Sequence, residues 1–281
     1  MLDLAHIPFR KMNGLGNDFV VLDARGEPIA LSDTSARAIA DRKTGIGCDQ
    51  VIVIEPSRTA DVRMRIWNME GFEVESCGNA SRCIADLLFG ETGRDAVTID
   101  TEGGRLVCTR APGGVTVDMG APRFGWQDIP LSRPFEDTRE IELACGALDR
   151  PSVVNVGNPH CIFWVDDIEA HDLAAVGPAL ERHPMFPERA NISLAHVRDR
   201  GHIVLKVWER GAGLTRACGT AACAAAVAAA RKGLTGRNVQ VSLPGGDLMI
   251  EWREGDDHIL MTGPVAYEFT GELPPHLIGA V

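Results

Sequence analysis

Lysine is scarce in this chain: only Lys11, Lys43, Lys206 and Lys232 occur, none in a setting that suggests a Schiff base. That argues against a pyridoxal cofactor. Positive charge is scarce too. The 28 Lys and Arg residues face 39 Asp and Glu, for a net charge of −11, so the basic footprint of a nucleic-acid or anionic-membrane partner is missing. Long apolar runs are absent. The longest, Ala217 to Ala230, includes Thr220, stops at Arg231-Lys232 and is too short to span a bilayer. Met1 to Arg10 lacks the basic start and apolar stretch of a leader peptide, so a cytoplasmic address is expected. Eight cysteines among 281 residues are too sparse for a disulfide scaffold. None forms a Cys-x-x-Cys pair and no His cluster accompanies them, so no metal site is expected. The pairs Gly14/Gly16 and Gly45/Gly47 lack the third glycine and the strand–helix setting of a dinucleotide fingerprint.

What is present is an internal repeat. Cys77-Gly78-Asn79-Ala80 and Cys218-Gly219-Thr220-Ala221 are near-copies 141 residues apart. The same spacing links Gly16-Asn17 to Gly157-Asn158, Gln50 to Asn191, and Trp67-Asn68 to Trp208-Glu209. Four matches at one offset point to a duplication, in which two half-chains each bring a Cys-Gly to a shared cleft. With 45% hydrophobic and 24% charged residues, a chain of this length can form two ordinary domains.

Short strands dominate the pattern. Apolar or alternating runs flanked by Gly, Pro and Asp fall at 19–22, 51–54, 62–67, 97–100, 106–109 and 115–119. The second half repeats them at 153–156, 161–165, 192–196, 203–208, 239–243, 248–252 and 259–261. Each half has one clear helix just after its Cys-Gly, Asn79 to Phe89 closed by Gly90 and Thr220 to Lys232 closed by Gly233. Further helices are expected over 34–42 and 173–182. Most strands follow strands, which disfavours a Rossmann alternation. An Ala-rich helix beside many strands suggests a sheet curled around it. The least patterned stretch, Arg123 to Pro151, should contain the crossing between halves.

Cys77 and Cys218 fall at helix N-caps. Free backbone N–H groups and the positive dipole end favour an anion there. Two consequences are expected: thiol pKa values lowered toward neutrality, and a carboxylate docked on the N–H groups of Gly78, Asn79, Gly219 and Thr220. Two thiols serving one carbon centre can take a proton from one face and return one to the other, which inverts that centre. Glu209-Arg210 follows an apolar strand at the place of Asn68, with Arg suited to a carboxylate and Glu to an ammonium group. His160, two residues after the duplicated Asn158, is a candidate for tuning a thiol. Asn17, Gln50, Asn68, Asn158 and Asn191 are neutral amides at repeated positions, able to hold amino and carboxylate groups. The other six cysteines lie mostly in apolar surroundings and read as buried free thiols.

These motifs resemble the diaminopimelate epimerase family over nearly the whole chain. They are Gly14-Leu15-Gly16-Asn17-Asp18-Phe19, Gly45-Ile46-Gly47 with Asp49-Gln50, Cys77-Gly78-Asn79, Gly157-Asn158-Pro159-His160, Phe186-Pro187-Glu188-Arg189 with Asn191, Glu209-Arg210-Gly211, and Ala217-Cys218-Gly219-Thr220. The resemblance implies a cofactor-independent epimerase interconverting LL- and meso-diaminopimelate, in lysine and peptidoglycan precursor biosynthesis. Cys77 and Cys218 would be its acid–base pair. Asn17, Gln50, Asn68, Asn158, Asn191, Glu209, Arg210 and the backbones of Gly78, Asn79, Gly219 and Thr220 would bind substrate, while His160 and Glu209 tune the thiols. It also implies a homodimer and an α/β (α+β) fold of two pseudo-symmetric halves, each a barrel-like, mostly antiparallel sheet around a central helix. The expected domains are 1–123 with a returning segment 269–281, and 124–268. This chain departs from the family at Asn13 (commonly His), Cys48 (Phe), Ala80 and Ala221 (Gly) and Leu214 (Glu). Rival readings are a proline-type racemase, which would not need Glu209-Arg210, a thiol redox protein, and an amino acid binding module.

Overall fold

The computed structural model describes residues 7–75 and 77–277. The expected absence of a leader concerns Met1 to Arg10, of which residues 1–6 lie outside the described ones; so do 278–281 of the expected returning segment. The strands and helices in chain order are β1 (Pro8–Gly14), β2 (Asn17–Asp23), α1 (Asp33–Ala40), β3 (Gln50–Glu55), β4 (Val62–Asn68), α2 (Gly78–Thr92), β5 (Ala96–Thr101), β6 (Gly104–Ala111) and β7 (Gly114–Asp118). They continue as β8 (Ala144–Cys145), β9 (Leu148–Asp149), β10 (Ser152–Asn155), β11 (Pro159–Trp164), α3 (Leu173–Glu181), β12 (Asn191–Asp199), β13 (His202–Glu209) and β14 (Gly213–Thr215). The last are α4 (Gly219–Arg231), β15 (Asn238–Leu243), β16 (Gly246–Trp252), β17 (Ile259–Gly263) and β18 (Ala266–Glu272).

Two compact units result, one of Met1–Val117 with Gly263–Val281, the other of Asp118–Thr262. The sequence placed the divisions a few residues later, after 123 and after 268. The apolar alternation 115–119 runs across the first division and hides it. In the first unit the strand order is β7-β6-β5-β4-β3-β2-β1-β18; in the second it is β17-β16-β15-β13-β12-β11-β10, with β14 beside β13. The offset of 141 is therefore a sheet register. Phe19 pairs with Gln50 as His160 pairs with Asn191, and Val51 pairs with Trp67 as Ile192 pairs with Trp208. Parallel pairing needs a crossover, and each helix supplies one: α1 joins β2 to β3, α2 joins β4 to β5, α3 joins β11 to β12, and α4 precedes β15 beside β13. The ladders β18–β1, β1–β2, β3–β4, β5–β6, β10–β11, β12–β13, β15–β16 and β16–β17 are antiparallel.

Each unit puts one helix inside its sheet and one outside. Ala221 to Ala229 of α4 are all buried, and the helix touches β10, β11, β12, β13, β15 and β16. A helix apolar on every face must be enclosed, and alanine lets six strands approach it. Helix α2 is likewise buried nearly all round, against β1, β5 and β6. Outside, Ala36 and Ile39 of α1 pack with Val20, Leu22, Val51 and Val53. In the second unit Leu173 and Leu180 of α3 pack with Phe163, Ile192 and Leu194. Strands covered on both faces read as unbroken apolar runs, which is why 51–54 carries no alternation.

Helix α2 corrects one expectation. Gly90 does not stop it; the helix runs to Thr92 and ends on Gly93, left-handed at φ 69°. A Cβ at Gly90 would meet nothing, so that glycine sits on an open face and costs helix propensity without a break. Of the six other cysteines, Cys48, Cys83, Cys108, Cys161 and Cys223 are buried and Cys145 is partly so; none forms a disulfide among the described residues. Burial pushes the Cys48, Cys83 and Cys108 thiols up to about 12 and Cys161 well above its usual range, so these four are inert toward acid–base work near neutral pH.

Candidate active site

Each unit gathers its candidate site residues where its central helix begins. In the first, Cys77 is the N-cap of α2, extended at φ −149°, ψ 106°, and its sulfur accepts from the Ala80 N–H at 3.5 Å. The Cys77 thiol donates to Asn17 Oδ1 at 3.8 Å, and Asn79 Nδ2 donates to the same oxygen at 3.3 Å. Asn17 opens β2, and its Nδ2 donates to Asp49 Oδ2 at 2.8 Å. Gln50 and Asn68 stand opposite each other at the adjoining ends of β3 and β4. Gln50 Oε1 is buried without a partner among the described residues, as is Asn79 Oδ1, so both are open acceptors for a ligand. Asn68 Oδ1 is used locally, taking the N–H groups of Glu70 at 3.0 Å and Phe72 at 2.9 Å. Only its amino group is left for a ligand.

The polar base beneath this half escaped the sequence reading. Lys11, 4% exposed, donates to Asp18 Oδ2 and to the Gly47 carbonyl. Arg42 binds Asp18 Oδ1 and Asp49 Oδ1, each at 2.7 Å. Burial alone would raise the Asp18 pKa; hydrogen bonds from Arg42 and Lys11 outweigh it and bring it to about 2. The only signal was the Asn17-Asp18 and Asp49-Gln50 pairs already in the motifs.

In the second unit Cys218 is the N-cap of α4 and 5% exposed. Its sulfur lies 3.5 Å from Thr220 Oγ1, which accepts from Asn158 Nδ2 at 3.4 Å. His160 Nε2 lies 2.7 Å from Asn158 Oδ1. The lowered thiol pKa expected here is not found. Burial pushes the Cys218 thiol well above its usual range and the adjacent Glu209 carboxylate adds to it, while the Thr220 hydroxyl and Ala221 N–H pull down too weakly. The helix terminus loses to desolvation. His160 is fully buried and its pKa falls to about 3, chiefly through burial and secondarily through Arg210. It is a neutral ring, linked to Cys218 through Asn158 and Thr220 and not by charge.

Thr215 donates to Glu209 Oε1 at 2.5 Å. Asn191, 3% exposed, donates to the Pro159 carbonyl at 3.1 Å and accepts from the Arg210 N–H at 2.9 Å. It braces the turn that carries Arg210, whose guanidinium is exposed and holds the Glu188 carbonyl at 3.1 Å. Glu181 was missed. This buried carboxylate accepts from Trp208 Nε1 at 2.7 Å and Gly211 N at 3.2 Å, and meets Arg189 at 3.6 Å, so it grips both neighbours of Glu209-Arg210. The position 141 earlier is Ala40, and no repeat marked it. Of the departures, Leu214 is 54% exposed and Asn13 pairs with Glu268 at 2.7 Å, while Ala80 and Ala221 are buried in the first helical turns and turn their N–H groups to the Cys77 and Cys218 sulfurs.

Both fold and sequence have relatives. A phenazine biosynthesis protein of the PhzF family from Bacillus anthracis superposes with a TM-score of 0.69 at 18% identity, covering 95% of this chain and 98% of that one. A hydroxyproline epimerase from Agrobacterium vitis, solved with trans-4-hydroxy-L-proline, gives 0.67 at 15% identity, over 97% and 94%. The architecture is therefore the duplicated α+β fold of these proteins. The family model for diaminopimelate epimerase matches this chain over residues 9–125 and again over 152–268. The diaminopimelate epimerase of Rhodopseudomonas palustris (strain BisB18) is 54% identical over 100% of this chain and 99% of its own length. That of Afipia carboxidovorans is 55% identical over the full length of both. The chain belongs to the diaminopimelate epimerase family.

Proposed function

We propose that this chain interconverts LL- and meso-2,6-diaminopimelate without a cofactor, by proton transfer to and from a pair of cysteines. The observation that carries the reading is the repeated helix start, Cys77 and Cys218 each capping a buried helix amid polar side chains, in a member of this family. One cysteine, as thiolate, removes the α-proton; the other, as thiol, gives a proton to the opposite face. Cys218, held protonated by burial and by Glu209, is ready to donate. When the direction reverses, it is the thiolate of Cys218 that must form, with the Thr220 hydroxyl and Ala221 N–H as its stabilisers.

The α-carboxylate docks on the N–H groups of Gly78 and Asn79 and of Gly219 and Thr220, where helix termini favour the charge that grows in the carbanion. Gln50 Oε1 and Asn79 Oδ1 accept from the substrate ammonium groups. Asn17, Asn68, Asn158, Asn191, Glu209 and Arg210 complete the grip, the last two at the distal amino acid end. A proline-type substrate has no such end. The family further implies a homodimer working in the cytoplasm on this small molecule, with neither nucleic acid nor membrane as partner. The test is deuterium wash-in. Incubated with LL-diaminopimelate in D2O and no added cofactor, the enzyme should place deuterium at an α-carbon as meso product forms. Absence of label at both α-carbons, with stable folded protein, would sink the proposal.

A further inference from the structure

The amide of Asn17 can present either its oxygen or its amino group to Cys77, and the choice decides whether the sulfur faces an acceptor or a donor. Asn79 does not make that choice. Its own Oδ1 has no partner among the described residues, so its amide can turn to match either orientation of Asn17. Asp49 does. An ionised carboxylate only accepts, and its Oδ2 lies 2.8 Å from Asn17 Nδ2. Reversing the Asn17 amide would set two oxygens against each other there. Asp49 is itself fixed: Oδ1 takes Arg42 at 2.7 Å, Oδ2 takes the Asp18 N–H at 3.2 Å, and its N–H meets Asp18 Oδ1 at 3.0 Å. The device is not repeated. The position 141 residues after Asp49 is Ala190, and the Asn158 amide instead meets His160 Nε2 at 2.7 Å, a ring nitrogen that can donate or accept, with its amino group toward Thr220.

We propose that Asp49 is a positioning residue for Cys77: by taking the amino group of Asn17, it turns the Asn17 oxygen onto the Cys77 sulfur and holds that cysteine in its proton-donor form. The thiol S–H can donate to Asn17 Oδ1; a thiolate in the same place would meet an oxygen lone pair. Ionisation of Cys77 is thereby opposed until substrate rearranges the amides. The charged and titratable groups of this corner are Arg82, Cys83 and Asp86 on α2, Lys11 on β1, Asp18 on β2, and Arg42 and Asp49 between α1 and β3. The inference rests on the proposed acid–base role of Cys77, but its test does not need turnover.

The rate of Cys77 alkylation by iodoacetamide, read on its own peptide by mass spectrometry across pH, gives the thiolate midpoint. Asp49→Asn should lower that midpoint by about half a pH unit or more, a threefold change in ionisation, and lower kcat with KM nearly unchanged. In an Asn17→Ala background the same substitution should leave the midpoint in place, because the amide it acts through is gone. An unshifted midpoint in Asp49→Asn would overturn the inference. So would an equal shift in both backgrounds, which would assign the effect to the lost charge of Asp49. Should Asp49→Asn not fold, Asp49→Ser, whose hydroxyl also donates, tests the same link. Wash-in failing in the unmodified enzyme would sink the epimerase reading and leave the alkylation result standing.

Discussion

His160 lies among the most deeply buried polar groups of the chain, and burial keeps its ring neutral down to about pH 3. That has a measurable consequence for stability. The unfolded chain binds this proton near its ordinary value of about 6.5, so stability is whole above that pH and is lost as pH falls from there toward 3. For this one group the loss is about 1.4 kcal/mol per pH unit crossed. In His160→Gln, urea unfolding at pH 7 and pH 4.5 should show a smaller drop than the unmodified protein. Equal drops would mean that the ring is hydrated or charged in the fold. The same residue explains a limit of motif reading. His160 was legible as part of the site from its place after Asn158, but its neutrality was not, because desolvation depends on β10, β12 and α4 closing around it. The lowered pKa expected for Cys218 failed for that reason too.

At the scale of elements, α3 sets the strand that carries Glu209-Arg210. Gly177 lets the helix lie directly on Trp208; a Cβ there would sit 2.6 Å from the indole. Gly177→Ala should therefore cost about 1–3 kcal/mol of stability through overpacking and also lower kcat/KM, since the displaced Trp208 precedes Glu209. Thermal unfolding and steady-state kinetics check both; an unchanged melting temperature would show that α3 slides freely. Most elements were legible in the sequence: β3 as an unbroken apolar run buried on both faces, and β4 and β13 as alternations that bury one face. Strand β18 was not legible. Its residues are almost all exposed, Tyr267 and Phe269 both at 51%, so no burial pattern marks it. Strand β1 was hidden by Arg10 and Lys11, the latter an interior lysine whose partner Asp18 lies on the next strand. The hairpin of β8 and β9, two residues per strand, is too short for any periodicity.

The whole molecule is one plan written twice and then differentiated. Strand order, crossover positions and register repeat between the units, yet the polar fittings do not: Asp49 answers to Ala190, Phe19 to His160, Asn68 to Glu209 and Ala40 to Glu181. The first unit is also discontinuous, since the chain returns at Gly263 and adds β18 beside β1. A duplicated fold gives two helix-capping cysteines; divergence around them suits a substrate with one centre to invert and a distal centre to hold. On this account every turnover needs one acid and one base, so neither cysteine is dispensable. The decisive measurement is the interconversion of LL- and meso-diaminopimelate, in both directions, by folded Cys77→Ala and Cys218→Ala. Both should be inactive, and the double variant scarcely worse than either, as for groups that act as a unit. Either single variant working near the rate of the unmodified enzyme would contradict the two-thiol account.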